Sequence, residues 1–241
     1  VQFYIYETDL NTQDIQRSAF GQCQILNEAR SLLTVRALEL HQAWLVTAYK
    51  ECRLQDALFS LMSAINGSIQ NKQASQALWR LLFMIVPVIS STFASVARQF
   101  SAFNAEDIGW LFIDEAGQAT PQQAVGALWR AKRAVVVGDP LQIEPVFTIP
   151  PALVEAIANR DFDKNWQDWS PTIQSVQSLA DRVNPYGTSQ ISKNIWLGSP
   201  LRVHRRCDEP MFSLANAIAY NNKMLHGRDN LWPSDDFLWG K

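Results

Sequence analysis

Two short apolar runs near the middle of the chain stand out in its pattern of hydrophobic and polar positions. They are residues 110–113 (WLFI) and 134–137 (AVVV), and each is too brief to form a helix core. Apolar runs of this length that end in polar groups are typical of strands buried on both faces of a parallel sheet. Between them, Thr120 and Pro121 predict the N-cap and the first position of a helix. The pattern predicts a right-handed strand–helix–strand unit.

Before this unit, the apolar residues recur at other spacings along the chain. Residues 1–8 alternate and are aromatic, which predicts a strand. Over residues 14–70 apolar positions recur at threes and fours, which predicts a long amphipathic helix. From Gln55 to Ile65 that helix continues or a second one forms, ending at Asn66-Gly67. Shorter helices are predicted at residues 76–83, 93–100 and 175–182.

Residues 85–89 (IVPVI) predict a further strand, which leads into the hydroxyl cluster at residues 90–92. Pro87 has no N–H for a sheet hydrogen bond, so we expect part of this strand to be unpaired or at an edge.

Polar residues follow both central strands. Asp114 and Glu115 come after the first, and residues 138–142 (GDPLQ) come after the second. Ligands of parallel sheets bind outside the carboxyl ends of the strands, so two carboxylates and an amide converge on one edge. This suits a magnesium–phosphate ligand, with one carboxylate holding the metal through water and the other accepting a proton from water. Taken alone, an acidic pair more often begins a solvated turn.

Composition narrows the class of protein. The 241 residues are 47% hydrophobic and 18% charged, which is typical of a globular chain. A formal charge of −2 gives no overall basic field, so any nucleic-acid contact must depend on local patches. Cys23, Cys52 and Cys207 lie too far apart in sequence for a zinc pattern or a disulfide framework. This favours a cytoplasmic location, and no apolar stretch reaches the roughly 18 residues of a membrane span.

Three segments resemble motifs of superfamily 1 helicases, in the Upf-type branch with its bacterial relatives. IDEAGQA, residues 113–119, resembles motif II, and VVVGDPLQIEPV, residues 135–146, resembles motif III. The segment from Leu201 to Gly227 resembles motif IV and the start of the second RecA-like domain. Each motif is moderately specific, and their order and spacing strengthen the resemblance.

The resemblance implies an α/β fold: a partial RecA-like P-loop NTPase parallel sheet with a helical insertion, plus the start of a second RecA-like domain. Residues 1–84 would hold a strand remnant and the insertion, and residues 85–160 the first RecA-like domain. Residues 161–200 would form a crossover loop region, and residues 201–241 would begin the second domain. Both ends appear cut from something longer, so the missing parts of the parent chain are expected partners.

Roles in ATP hydrolysis follow from the matched motifs. Asp114 would hold magnesium through water, and Glu115 would be the general base. Asp139 would help to bind the nucleotide, and Gln142 would couple the state of the phosphate to the nucleic-acid site. The expected cofactors are ATP and magnesium.

For the remaining roles, the residues alone leave alternatives open. Arg206 matches the arginine that reaches the terminal phosphate in the family. Arg205 stands where the family often has an aromatic residue, although a planar guanidinium can also stack on adenine. Ser91 and Thr92 would contact single-stranded nucleic acid, or one of them would only cap the next helix. Without the upstream motifs, the arginines would be interpreted as a basic solvated turn.

No G-x-x-x-x-G-K-[ST] phosphate loop occurs in these residues. We therefore expect a fragment, covering motifs II to IV, of an ATP-dependent helicase or translocase acting on DNA or RNA. The fragment alone is predicted to hydrolyse no ATP. The competing hypothesis is a non-catalytic helicase-like module that binds nucleic acid or a protein without turnover.

Overall fold

The computed structural model describes residues 23–162, 165–191 and 195–227. The fold is mixed α/β with small parallel sheets, as the fold class predicted in its broad form. The helices are α1 Gln24–Glu51, α2 Leu54–Ile65, α3 Lys72–Ile85, α4 Phe93–Gln99, α5 Pro121–Arg130, α6 Pro151–Asp161, α7 Val176–Val183 and α8 Met211–Ala219. The strands are β1 Leu111–Ile113, β2 Ala134–Val136, β3 Gly187–Thr188, β4 Leu197–Gly198, β5 Val203–His204 and β6 Leu225–His226. The predicted strand at residues 1–8 lies outside the described residues.

The chain divides into two compact units, one spanning Leu33–Ala180 and the other combining Val1–Leu32 with Asp181–Lys241. The first unit contains the predicted strand–helix–strand arrangement. Strands β1 and β2 pair in parallel, with Ile113 opposite Val136, and α5 connects them. Thr120 is the N-cap of α5, and its backbone N–H donates to Oε1 of Gln123 at 3.2 Å. This local polar match explains why the helix begins where the sequence predicted.

The first unit has an aromatic core centred on Trp79. Trp79 of α3 is 1% exposed, and its ring centroid lies 4.5 Å from that of Phe100 and 6.2 Å from that of Phe103. Large aromatic side chains contribute most of the burial energy of a small core. A second cluster under the strand ends contains Ile113, Val176 and three alanines, Ala116, Ala119 and Ala124. Small residues there allow the turn after β1 to lie close to α5.

Two predictions about the strands are wrong. Residues 85–89 form no strand, because α3 continues through Ile85 and residues 86–89 are irregular. Proline cannot donate to a sheet, and a short apolar run does not distinguish a strand from a helix end. Burial of β1 on both faces is also wrong, since Ile113 is 3% exposed whereas Phe112 is 66% exposed.

The long N-terminal helix was predicted correctly as a helix but not as an amphipathic one. A break at residues 52–53 separates α1 from α2, and Gly67 follows the end of α2 with a φ of 69°. Within α1 only Ala48 is buried, and large apolar side chains such as Leu33 and Leu40 are exposed. With 3.6 residues per turn, the apolar positions of α1 lie around the whole helix rather than on one face.

The second unit contains another strand–helix–strand arrangement. Strands β5 and β6 pair in parallel, with Val203 opposite Leu225 and His204 opposite His226, and α8 connects them. The buried Asn216 of α8 holds the segment that leads from α8 into β6. Its side chain donates to the carbonyl of Met224 and accepts the N–H of the same residue. In the same unit β3 and β4 form an antiparallel pair.

Within the described ranges, no helix is both long and apolar enough to cross a membrane.

Candidate functional site

The turn after β1 presents the two acidic residues of motif II to solvent. Asp114 and Glu115 are both exposed, and Oδ1 of Asp114 accepts the backbone N–H of Glu115 at 3.0 Å. Glu115 adopts a left-handed conformation with a φ of 53°, which a non-glycine residue rarely takes. Its Oε2 accepts Nε2 of Gln118 at 3.3 Å. The strand therefore ends abruptly, with both carboxylates outside the core.

The turn after β2 is organised by one carboxylate. Oδ1 of Asp139 accepts the backbone N–H of Leu141 at 2.9 Å, which is the geometry of an Asx turn. Its Oδ2 accepts Nε2 of Gln142 at 3.0 Å. Asp139 thus shapes its own loop and holds the side chain of Gln142.

Two glycines bring these turns into direct backbone contact. A Cβ added to Gly138 would lie 2.8 Å from the backbone nitrogens of both Ala116 and Gly117. A Cβ added to Gly117 would lie 2.7 Å from the carbonyl oxygen of Asp139. The N–H of Ala116 also donates to the carbonyl of Val137 at 3.0 Å. The acidic turn after β1 and the Gly-Asp turn after β2 therefore form one surface, as the parallel topology predicted.

The structure adds a third segment to this surface that sequence reasoning did not assign to the site. The N–H of Val176 donates to the carbonyl of Ala119 at 2.9 Å, and the buried Gln177 places Oε1 beside Gly138. Val176 lies in the segment that we interpreted as a crossover, yet it packs in the same core as Ile113. The helix at residues 175–182 was predicted, but no local pattern indicates which surface it covers.

Ser91 and Thr92 lie in the same unit, just before α4. Thr92 occupies the N-cap position without capping a backbone N–H through its side chain, and its Oγ1 donates to Oγ of Ser95 at 3.4 Å. Oγ of Ser91 donates to Oε1 of Gln99 at 2.5 Å. Phe93, the next residue, packs against the core beneath the acidic turn. The strand that was to present these hydroxyls is not formed, so their nucleic-acid role stays a prediction.

The two candidate arginines lie in the other unit, directly after β5. Arg205 and Arg206 are both exposed. The Cγ of Arg205 lies beside Gly227, where an added Cβ would come within 2.8 Å of it. Arg202, by contrast, donates from Nε to the carbonyl of Lys223 at 2.8 Å. Arg205 and Arg206 are thus exposed to solvent, whereas Arg202 is hydrogen-bonded to the chain segment of Lys223.

Two histidines and the phenyl ring of Phe212 lie beside this arginine turn. The backbone N–H of Cys207 donates to Nε2 of His204 at 2.9 Å, and Nε2 of His226 lies 3.1 Å from the carbonyl oxygen of Cys207. The ring of Phe212 lies against both imidazoles, at 5.7 Å and 4.8 Å between centroids. Burial, followed by the charges of His226 and Arg206, lowers the pKa of His204 from its ordinary value of 6.5. The sequence analysis assigned neither His204 nor His226 to the site.

The donor set limits how a metal could be held. Within residues 23–162, 165–191 and 195–227, no group of three or more histidine, cysteine or acidic residues could hold a metal ion. Magnesium bound to a nucleotide needs no such group, because it takes one or two carboxylates and completes its shell with water and phosphate oxygens. The three cysteines are free and exposed.

Comparison with known proteins identifies a family for the part of the chain that carries the acidic turns. A family model described as an AAA domain matches residues 14–148, which is more than half of the chain. The match includes both turns and ends before the arginine turn. No curated protein and no solved structure matches the chain. The chain belongs to this AAA domain family, which is a helicase-like family of P-loop NTPases.

Proposed function

We propose that this chain carries motifs II to IV of an ATP-dependent helicase or translocase of the Upf-type branch, in which ATP hydrolysis drives movement along single-stranded DNA or RNA. The observation that carries the proposal is the backbone contact between the two polar turns, where Gly138 and Gly117 leave no room for a Cβ. That contact fixes the spacing between the acidic pair and the loop of Asp139 and Gln142. Glycine at both positions permits this close approach, and a ligand shared by the two turns would require such a fixed spacing.

Asp114 is the residue that would hold magnesium. Its carboxylate is exposed at the end of β1, and its Oδ1 already orients the next peptide by accepting the N–H of Glu115. Hard oxygen ligands of this kind suit magnesium, which would neutralise phosphate charge when bound. Asp139 lies across the glycine contact and would contribute to the nucleotide side of the same surface.

Glu115 would act as general base. It directly follows Asp114, and its backbone is left-handed with a φ of 53°. A base must reach a water on the far side of the terminal phosphate, whereas the metal ligand must face the phosphate oxygens. Gln142, which Asp139 holds, would transmit the state of that phosphate towards the nucleic-acid side, with Ser91 and Thr92 as its contacts.

Arg206 would reach the terminal phosphate as an arginine finger, and Arg205 would stack on the base or bind the phosphates. The site would then lie in a cytoplasmic protein.

The alternative is a helicase-like module that binds nucleic acid or a protein without turnover. It is favoured by the lack of a G-x-x-x-x-G-K-[ST] sequence in these 241 residues. That loop supplies backbone N–H donors and a lysine to the phosphates. Both hypotheses therefore predict no ATP hydrolysis by the 241-residue chain alone, and they differ in a longer protein that includes a phosphate loop.

The test compares two isosteric variants in that longer protein. Glu115→Gln is expected to stop hydrolysis while nucleotide binding stays nearly intact, because an amide cannot accept the proton from water. Asp114→Asn is expected to weaken magnesium-dependent nucleotide binding instead. ATPase assays and titration with a fluorescent ATP analogue measure the two effects. Equal loss of affinity in both variants would refute the division of roles, and wild-type protein without ATPase activity would favour the binding module.

A further inference from the structure

Imidazoles bind both backbone polar groups of Cys207, its N–H and its carbonyl oxygen. Its N–H donates to His204 on β5, and its carbonyl oxygen lies within hydrogen-bond distance of His226 on β6. These histidines are register partners of the parallel pair, so the sheet itself sets their separation. Cys207, whose backbone they bind, directly follows Arg205 and Arg206 in the turn.

The chemistry of the two bonds fixes where the protons lie. A backbone N–H can only donate, so Nε2 of His204 must be an unprotonated acceptor. A carbonyl oxygen can only accept, so Nε2 of His226 must carry a hydrogen. A proton added to His204 would place two donors against each other and break its bond. A proton added to the other nitrogen of His226 would leave its bond intact.

The charges around His204 act in the same direction. Arg206 on the turn and His226 on β6 both lower its pKa, after burial as the largest cause. Helix α8 contributes the uncharged ring of Phe212, and its span Met211–Ala219 contains no charged residue. Glu209 follows the turn, and its Oε2 accepts the N–H of Ser213. The surroundings thus favour the neutral imidazole that the hydrogen bond requires.

We propose that His204 and His226 are positioning residues for Arg206, and that the arginine turn is ordered only while His204 is unprotonated. The inference rests on the proposed function, since a bound nucleotide is what gives the position of Arg206 its purpose. Neither histidine touches the nucleotide in this scheme. Acidification would release the Cys207 N–H, free the turn to move, and so lower turnover without altering the acidic turns of the other unit.

The first test needs no substitution and no activity. The chain contains three histidines, His41, His204 and His226, so nitrogen-15 spectra of the imidazoles of the whole chain can be assigned. We expect His204 at neutral pH to carry its proton on Nδ1, and the Cys207 amide signal to shift with the same midpoint as the His204 ring between about pH 8 and about pH 5. A proton on Nε2 of His204 at neutral pH, or a Cys207 amide that ignores its titration, would overturn the proposal.

The second test uses three variants of a longer protein with a phosphate loop. In the wild type, turnover should fall by roughly tenfold or more on acidification. This is smaller than the rate contribution of about a thousandfold from an arginine finger, because the released turn would still place Arg206 correctly part of the time. His204→Gln should remove most of this acid-side fall, because an amide oxygen accepts a hydrogen bond at every pH. His204→Phe should be slow at all pH values, and His41→Gln should behave as wild type.

The two tests separate the hypotheses. Absence of ATPase activity in the longer protein would remove the proposed function, while the imidazole spectra would still decide whether His204 orders the turn. If His204→Gln keeps the full acid-side fall of the wild type, the positioning role is wrong. Should His204→Phe fail to fold, the wild-type titration and His204→Gln still give the answer.

Discussion

Two strand–helix–strand arrangements carry the candidate residues, and their polar turns are held by different chemistry. After β1 and β2 the contact is made by backbone atoms, with Gly117 and Gly138 allowing the close approach. After β5 the contact is made by side chains, with His204 binding the backbone N–H of Cys207 and His226 binding its carbonyl oxygen. Backbone contacts do not titrate in the physiological range, whereas imidazoles do. The acidic turns are therefore fixed by the fold, and the arginine turn depends on protonation.

This difference suits the roles that we propose. Metal and base positions must be correct in every state of the site, so a permanent backbone contact is appropriate. An arginine finger acts only in the closed, reacting state, and its contact is made chiefly there. A turn held by two side-chain bonds can be ordered or released at smaller cost.

The largest expected effect concerns Arg206 itself. In the longer protein, Arg206→Ala should lower kcat by about a thousandfold while nucleotide affinity falls modestly, because the contact forms mainly in the transition state. Arg206→Lys should not restore the rate, since a point charge does not reproduce the planar fork. Single-turnover hydrolysis and equilibrium binding measure the two quantities separately.

Arg202→Ala is the matched control, because Arg202 lies before the same turn but donates to the carbonyl of Lys223. It should alter stability slightly and leave turnover near that of wild type. Similar rates for Arg206→Ala and Arg202→Ala would contradict the assignment. So would a complete loss of turnover in Arg205→Ala while Arg206→Ala stays active.

The second expected effect concerns the backbone contact. Gly138→Ala should destabilise the chain by about 1–3 kcal/mol, because the new Cβ would overlap two backbone nitrogens that cannot move independently. Gly109→Ala is the control, since nothing lies within 4 Å of its added Cβ, and it should change stability by less than about 0.5 kcal/mol. Urea denaturation of both variants measures the difference. Equal midpoints would show that the turns are not packed as described.

The first arrangement could be predicted because its signals are local. Residues 110–113 and 134–137 are apolar runs that end in polar groups, and Thr120-Pro121 marks the helix start. These features determine backbone conformation within a few residues of themselves. The strand at residues 85–89 was wrong for the same reason, since the local apolar pattern could not show that α3 extends to Ile85.

The second arrangement gave too little signal. Strands β5 and β6 contain two residues each. Two residues are too few for a hydrophobic period to be recognised in the sequence. The pairing of His204 with His226 depends on the register of those strands. In the first arrangement, the position of the Gln177 side chain beside Gly138 likewise depends on how α7 packs. Such relations between distant residues are set by tertiary packing, so the sequence predicted the arginine turn without its supporting histidines.

The smallest expected effect is a pH dependence of local stability that separates the two arrangements. The folded-state pKa of His204 is lowered from 6.5, so the unfolded chain binds the proton more readily than the folded one. Stability from this group is therefore fully present above pH 6.5 and is lost as the pH falls from there through the folded-state pKa. Amide exchange of Gly227, whose N–H donates to the carbonyl of His204, should become faster over that window after correction for intrinsic rates. Exchange of Val137, which donates to Ile113 between β1 and β2, should not change. In His204→Gln the pH dependence at Gly227 should largely disappear, and equal acid sensitivity of both amides in the wild type would contradict the comparison.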